Sequence, residues 1–450
     1  MTTLIPKFKQ PYTAAVNRPI NEKLQESVSV VDFGADPTGV TDSYAAFLAA
    51  YNSGAGTITI PLGTFKLTQT LLLDRAITFV GATSAGTRDL IASNTSLISF
   101  TGSGAAFECT ATDVNGTRNF HFNNLSITGT ASGSCGILLG NTLGAYATMS
   151  SIINVQITGF TAVGACGVQA KYCLNSYFRN VSTFFNYDGI KCQGDNTTLT
   201  FDTCWSYGNN RYGWFLDNNL VSGNFINCIA ENSGDSGLYI SGAVSSSNFY
   251  GWHSESNCKT SGLAPQVLTN NGAAYPLWIT FFGGYFGDYV GANFKTFDLT
   301  GGSFITWYNP TMPSYGTGFM SVTSLTSACN FNTPVTVYPN AITNNTLTGV
   351  TINNNAPNQY VYSLANSAAS GVPYNTGLLS IADTTNKHSA IFALNGAGNP
   401  TSIISDPDSK FSNANTAGKI NVYMDGTTLR VGNNSGGAVV IVTQLSMAYF

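Results

Sequence analysis

The chain has 450 residues, 43% of them hydrophobic, enough for a sizeable core and too apolar for a disordered polypeptide. Only 9% of the residues are charged, against about 25% in an ordinary domain. Eighteen Lys+Arg against 22 Asp+Glu give a net charge of −4, which argues against a nucleic-acid partner, because phosphate binding needs clustered cations. The histidines, His121, His253 and His388, are too scattered for a histidine metal cluster. Motifs for zinc, nucleotides and Ser-His-Asp catalysis are absent, so no metal and no cofactor is expected. The opening Met1–Gln10 is no apolar leader, and no apolar run reaches about 18 residues, so membrane insertion is not expected. Nine cysteines without a CxxC pair are expected to be reduced core residues of a protein made in a reducing cytoplasm. Forty-seven glycines with abundant Ser, Thr and Asn predict turns at short intervals and a β-rich fold.

In chain order, the first organised block is Val28-Ser-Val-Val-Asp-Phe-Gly-Ala-Asp-Pro-Thr-Gly-Val-Thr-Asp-Ser-Tyr-Ala-Ala-Phe. Asp42 or Thr41 is placed to cap a helix over Tyr44–Tyr51, and Gly56-Thr-Ile-Thr-Ile-Pro-Leu-Gly-Thr-Phe reads as a first strand and turn.

The middle of the chain repeats. Glycine followed by an apolar residue recurs at Gly136, Gly167, Gly189, Gly213, Gly237 and Gly262, with spacings of 31, 22, 24, 24 and 25 residues. A second column holds Asn124, Asn154, Asn180, Thr203, Asn227 and Gly251; a third holds Phe178, Phe201, Phe225, Phe249, Phe281 and Phe304. Three columns in step at a period near 24, without a helical pattern, predict a solenoid of parallel strands with one coil per repeat. Coils pair with their neighbours at about 4.8 Å, like residues stack, and right-handed winding is the default. Several β-sandwiches are the alternative, which aligned columns do not suit. The fold class expected is therefore all-β: a right-handed single-stranded parallel β-helix trunk over 28–335. Alternation turns the first and third positions after the Asn column inward, which makes Cys204 and Cys228 stacked core filler.

The block from Val28 to Phe65 closely resembles the opening of the pectate-lyase-like superfamily, and Tyr12–Glu26 resembles the neck of bacteriophage tail spikes that carry that domain. The resemblance implies a homotrimeric spike that binds, and often depolymerises, bacterial surface polysaccharide. Residues 1–27 would then be a short virion-attachment segment for tail, baseplate or adaptor proteins. The same block would also cap the apolar end of a solenoid in an unattached enzyme. Residues 321–340 lose the coil pattern, and 340–450 is expected to be an antiparallel β domain for trimerisation or glycan binding. Its last strand, Ala438-Val-Val-Ile-Val-Thr, is expected to need a partner, from another subunit if its own chain supplies none.

Outward positions of the coils carry the chemistry. The second after the Asn column gives Ser126, Gln156, Ser182, Trp205, Ile229, His253, Tyr285 and Tyr308; the fourth gives Thr128, Thr158, Phe184, Tyr207, Glu231, Glu255, Gly287 and Pro310. One face thus changes to aromatics and carboxylates, which suits sugar rings and hydroxyls. Trp205, Tyr207, Phe184, Tyr285, Tyr308 and Asp288 are the expected substrate-binding residues. The face could instead be buried between subunits or under the loop Lys259–Pro276. Glu231 and Glu255 hold equivalent positions 24 residues apart, so one pKa should rise and supply a proton donor for glycoside hydrolysis. His253 is expected to orient or share that proton, and Asp235 is a reserve acid. A polysaccharide lyase would need a cation or metal beside its base, and Arg179, Lys191, Arg211 and Lys259 form no column. Hydrolysis is preferred over lysis, with a spike that only grips glycan as the non-enzymatic alternative.

Overall fold

In the computed structural model the described residues are 6–84, 95–110, 119–141, 143, 145–217, 219–260, 266–270 and 277–287, the strands between 295 and 372, and 377–383, 386–394, 402–414, 416–425, 428–436 and 439–447. The chain divides into two units between Gly234 and Asp235. Among the described residues no helix is long and apolar enough to cross a membrane.

The first unit opens with an antiparallel ribbon, Lys7–Phe8 against Arg18–Pro19, and a helical turn over Ile20–Leu24. Glu26 takes both Lys23 and Arg18, and their hydrogen bonds hold its carboxyl down at about 2. The expected helix forms over Tyr44–Asn52 with Ser43 at the N-cap position. Asp42 works from one residue further out, where its Oδ1 accepts the Tyr44 and Thr68 N–H groups at 3.1 and 3.2 Å. Phe47 and Ala50 are wholly buried, and the Phe47 ring meets Phe65 edge-on at 5.9 Å. An apolar solenoid end needs such a cover.

Parallel coils follow, and their strands form three sheets. One sheet runs through Leu71–Leu73, Ala105–Cys109, Cys135–Leu139, Cys166–Ala170, Asp188–Cys192 and Trp214–Asp217. A second, of two-residue strands, runs through Ala147–Thr148, Cys173–Leu174, Asn196–Thr197 and Leu220–Val221. The third holds Phe120–Thr128, Ser151–Thr158 and Tyr177–Phe184, and continues in two pieces as Thr200–Asp202 with Trp205–Tyr207, then Asn224–Ile226 with Ile229–Glu231. The parallel β-helix expected from the repeat is what the chain forms.

The columns have physical causes. Asn124, Asn154, Asn180, Thr203 and Asn227 all sit at positive φ, between 49° and 56°, where asparagine is the best tolerated residue after glycine. Their amides form a ladder, Asn154 Nδ2 donating to Asn124 Oδ1 and Asn180 Nδ2 to Asn154 Oδ1, each at 2.9 Å. Phe178, Phe201 and Phe225 stack at 4.5 and 5.1 Å with rings within 16° of parallel. The glycine column is steric: a Cβ on Gly189 would lie 2.0 Å from Ser206 Oγ and 2.3 Å from the Gly213 carbonyl. Cys204 and Cys228 are fully buried, and the eight cysteines whose side chains are described are all buried thiols.

In the second unit parallel pairing persists through Leu238–Ser241, Val267–Asn270, Lys295–Thr300 and Gly318–Ser324. It also runs through Ser247–Tyr250, Leu277–Phe282, Ser303–Tyr308, Cys329–Phe331 and Val350–Ile352, past the expected limit at 335. Two register expectations fail here. Leu238 pairs with Val267, not with Leu263, and the Gly262 anchor itself lies outside the described residues. Trp307, not Phe304, faces Phe281, and Tyr308 faces Phe282 in place of the column of Tyr285. From Gln359 onward the sheets are mainly antiparallel, with Ile381, Phe392, Phe411, Val422 and Val431 buried. The last strand, Val439–Met447, finds both neighbours in its own chain, Gln359–Leu364 and Gly377–Asp383, so it needs no strand from a sister subunit.

Candidate functional site

The strand His253–Glu255 lies parallel to Tyr285–Gly287, with His253 facing Tyr285 and Glu255 facing Gly287. Residues two apart on a strand share a side. His253 Nε2 and Glu255 Oε2 are therefore able to meet, and do so at 2.7 Å with 31% and 28% of each side chain exposed. Tyr285 stacks on the imidazole at 5.0 Å, with 28° between the rings.

The intervening residue anchors this dyad from within. Ser254 is fully buried and donates to Gln266 Oε1 at 2.7 Å; Asn257 Nδ2 donates to the same oxygen and, at 3.2 Å, to Ser254 Oγ. Trp252, also fully buried, precedes the strand. A strand clamped on its inner side fixes the outward groups better than a loop does.

The other expected residues fall as follows. In the first unit Tyr207 faces Glu231 and Trp205 faces Ile229 in register, with all four side chains half-buried. Phe184, expected on the outer face, is 2% exposed. It packs edge-on against Trp205 at 5.2 Å and Tyr207 at 6.2 Å, and so supports those rings without presenting its own. Ser126, Gln156 and Thr158 at the same outward positions are also buried, so alternation assigned their side of the strand but not their exposure. Asp235 belongs to the second unit. Its backbone carbonyl accepts the Cys258 N–H at 2.9 Å, and after burial its charge is the next influence pushing the Cys258 thiol up. Asp288 lies outside the described residues, as does the side chain of Tyr308.

One aromatic residue escaped the sequence reading. Phe185, 41% exposed, meets Tyr207 edge-on at 5.7 Å. It follows the strand at a φ of 54°, and Gly208 and Asn232 have positive φ at the matching corner of later coils of this unit. That second left-handed column mixes Phe, Gly and Asn, so identity alone did not reveal it.

No family model matches the sequence, and no curated protein does. Among solved structures the chain is similar to the Geobacillus virus E2 protein ORF18 at 14% identity, with a TM-score of 0.49 over 98% of this chain and 93% of that one. It is similar to the Dettilon tailspike protein at 12% identity and a TM-score of 0.49, covering 95% of both chains. It is also similar to the A-module of an Azotobacter vinelandii mannuronan C-5 epimerase, at 16% identity and a TM-score of 0.41 over 66% of this chain and all of that one.

Proposed function

We propose that the protein is a bacteriophage tail spike that binds host surface polysaccharide, capsule or O-antigen, and cleaves it by glycosidic hydrolysis. The observation that carries the enzymatic part is the His253–Glu255 dyad, hydrogen-bonded at 2.7 Å on a clamped strand and partly open to solvent. The resemblance of residues 28–65 to the pectate-lyase-like opening supports the spike. In this reading Glu255 transfers a proton at the glycosidic oxygen, His253 holds that proton's position, and Tyr285 offers a ring for a sugar to stack on. Hydrolysis uses a second carboxyl group, for which Glu231 is the sequence's candidate, with Trp205 and Tyr207 as rings of its own unit. The spike would work as a homotrimer at the virion tail, joined through residues 1–27, and act on the bacterial surface after synthesis in the host cytoplasm.

The test is incubation of the purified protein with host capsule or lipopolysaccharide. New reducing ends are expected from the wild type. Glu255→Gln and Glu231→Gln are each expected to lower release by about 100-fold or more while the glycan still binds. An unsaturated uronate product would replace hydrolysis by elimination. Inhibition by a chelator would turn the dyad into metal ligands. No product from the true receptor, with binding intact, would leave a spike that only grips glycan.

A further inference from the structure

Away from the dyad, the sheet through Asp188–Cys192 and Trp214–Asp217 carries a second cluster. Asp188 stands in register with Cys166, in a strand position that Cys135 and Cys166 fill with thiols. Its carboxylate is fully buried and is met by Arg211 on both oxygens, Nε to Oδ1 at 2.8 Å and Nη2 to Oδ2 at 2.5 Å. The Tyr212 N–H adds a third bond at 3.3 Å. A guanidinium gripped this way is fixed in orientation. Three rings surround it, Tyr212 at 4.5 Å, Tyr187 at 4.8 Å and Phe215 at 5.4 Å. Lys191, facing Phe215 in register, holds its ammonium 5.1 Å from the same ring. Asp188 is occupied by Arg211, which leaves the Lys191 charge and the outer edge of the guanidinium, Nη1, without a described hydrogen bond; 27% of the Arg211 side chain is exposed.

We propose that Tyr187, Lys191, Arg211, Tyr212 and Phe215 bind a carboxylated sugar residue, such as a uronate, within an acidic glycan. Nη1 and the Lys191 ammonium take the carboxylate, and the sugar ring lies on Tyr212 or Tyr187. The combination selects for charge as well as shape. A neutral sugar would use the rings alone, whereas an inorganic anion would gain nothing from them. The whole chain has 18 basic residues, and two of them, one paired with Asp188, stand here beside three aromatic rings. The site stands whether or not Glu255 is catalytic.

Ligand-observed saturation-transfer NMR on the full chain tests it with two probes that differ only in the carboxylate, methyl β-glucuronoside and methyl β-glucoside. The glucuronoside is expected to bind at least about tenfold more tightly. Lys191→Ala is expected to remove that preference, and Tyr212→Ala to weaken both probes, with thermal unfolding unchanged in each. Arg211→Lys keeps the charge and loses the fork, so it too is expected to lose the preference. If that variant fails to fold, the other two decide. Equal binding of the two probes overturns the proposal, as does glucuronoside binding that survives Lys191→Ala and Tyr212→Ala. Absence of binding to the wild type, the result expected if a second copy of the chain covers the patch, also overturns it.

Discussion

Asn154 combines two roles that no other side chain joins so well. Its φ of 52° lies in the region L-residues avoid, and its amide both donates to Asn124 and accepts from Asn180. Replacement by alanine adds the left-handed backbone penalty of about 1–2 kcal/mol to the loss of two hydrogen bonds worth about 1 kcal/mol each. Asn154→Ala is therefore expected to cost about 3 kcal/mol in chemical denaturation and Asn154→Gly about 2 or less; equal losses would mean that the backbone angle contributes nothing. His121 shows a different single-residue effect. Its Nδ1 lies 2.8 Å from Ser151 Oγ, and burial lowers its pKa below the ordinary 6.5. The folded chain thus takes up this proton less readily than the unfolded chain. The stabilisation is fully present above about pH 6.5 and shrinks as the pH falls below it. An NMR titration should place the His121 midpoint below 6.5, and His121→Asn should flatten the decline in melting temperature between pH 7 and pH 5. A midpoint above 6.5 would reverse the assignment.

At the scale of the coil, glycine spacing and phenylalanine stacking were legible because both are forced by contact between neighbouring coils. Gly189 faces Ser206 and the Gly213 carbonyl too closely for a methyl group, whereas a Cβ on Gly56 meets nothing within 4 Å. Gly189→Ala should accordingly destabilise by about 2–3 kcal/mol, as overpacking does, and Gly56→Ala should stay within about 0.5 kcal/mol. Denaturant midpoints compare the two directly, and similar values would show that the column is not steric. What the sequence hid has the same physical root. Turn length is not constrained by stacking, so Leu238 meets Val267 where Leu263 was expected, and the strand Ser303–Tyr308 pairs three residues away from its expected register. Strand alternation gives the side on which a residue lies, but the turns that fold over that side are not periodic; Phe184, Gln156 and Thr158 are buried for reasons alternation does not carry. The dyad was legible because His253 and Glu255 share one strand, where a two-residue spacing decides the geometry. The Asp188–Arg211 pair was not, since 23 residues separate its members and only stacked turns bring them together.

Over the whole chain, 40 charged residues among 450 leave little of the stability to electrostatics. Stacked rings, amide ladders and parallel backbone pairing do that work, and none of these depends strongly on ionic strength. The described ion pairs are few, and those of Glu26 with Arg18 and Lys23 lie on exposed side chains, where solvent and salt screen them. Arg211–Asp188 is the pair with a fully buried carboxylate, and salt screens it least. Raising sodium chloride from about 20 mM to about 500 mM shortens the Debye length from roughly 20 Å to about 4 Å, which removes most interactions between exposed charges. The melting temperature should move by less than about 2 °C over that range, since a unit the size of either half of the chain shifts by about 2–4 °C per kcal/mol. Arg211→Ala is expected to break this pattern by stranding a buried carboxylate, lowering stability by about 3–5 kcal/mol at every salt concentration. Differential scanning calorimetry across the salt series measures both effects. A wild-type shift beyond about 5 °C would show that charge, despite its scarcity, governs the stack.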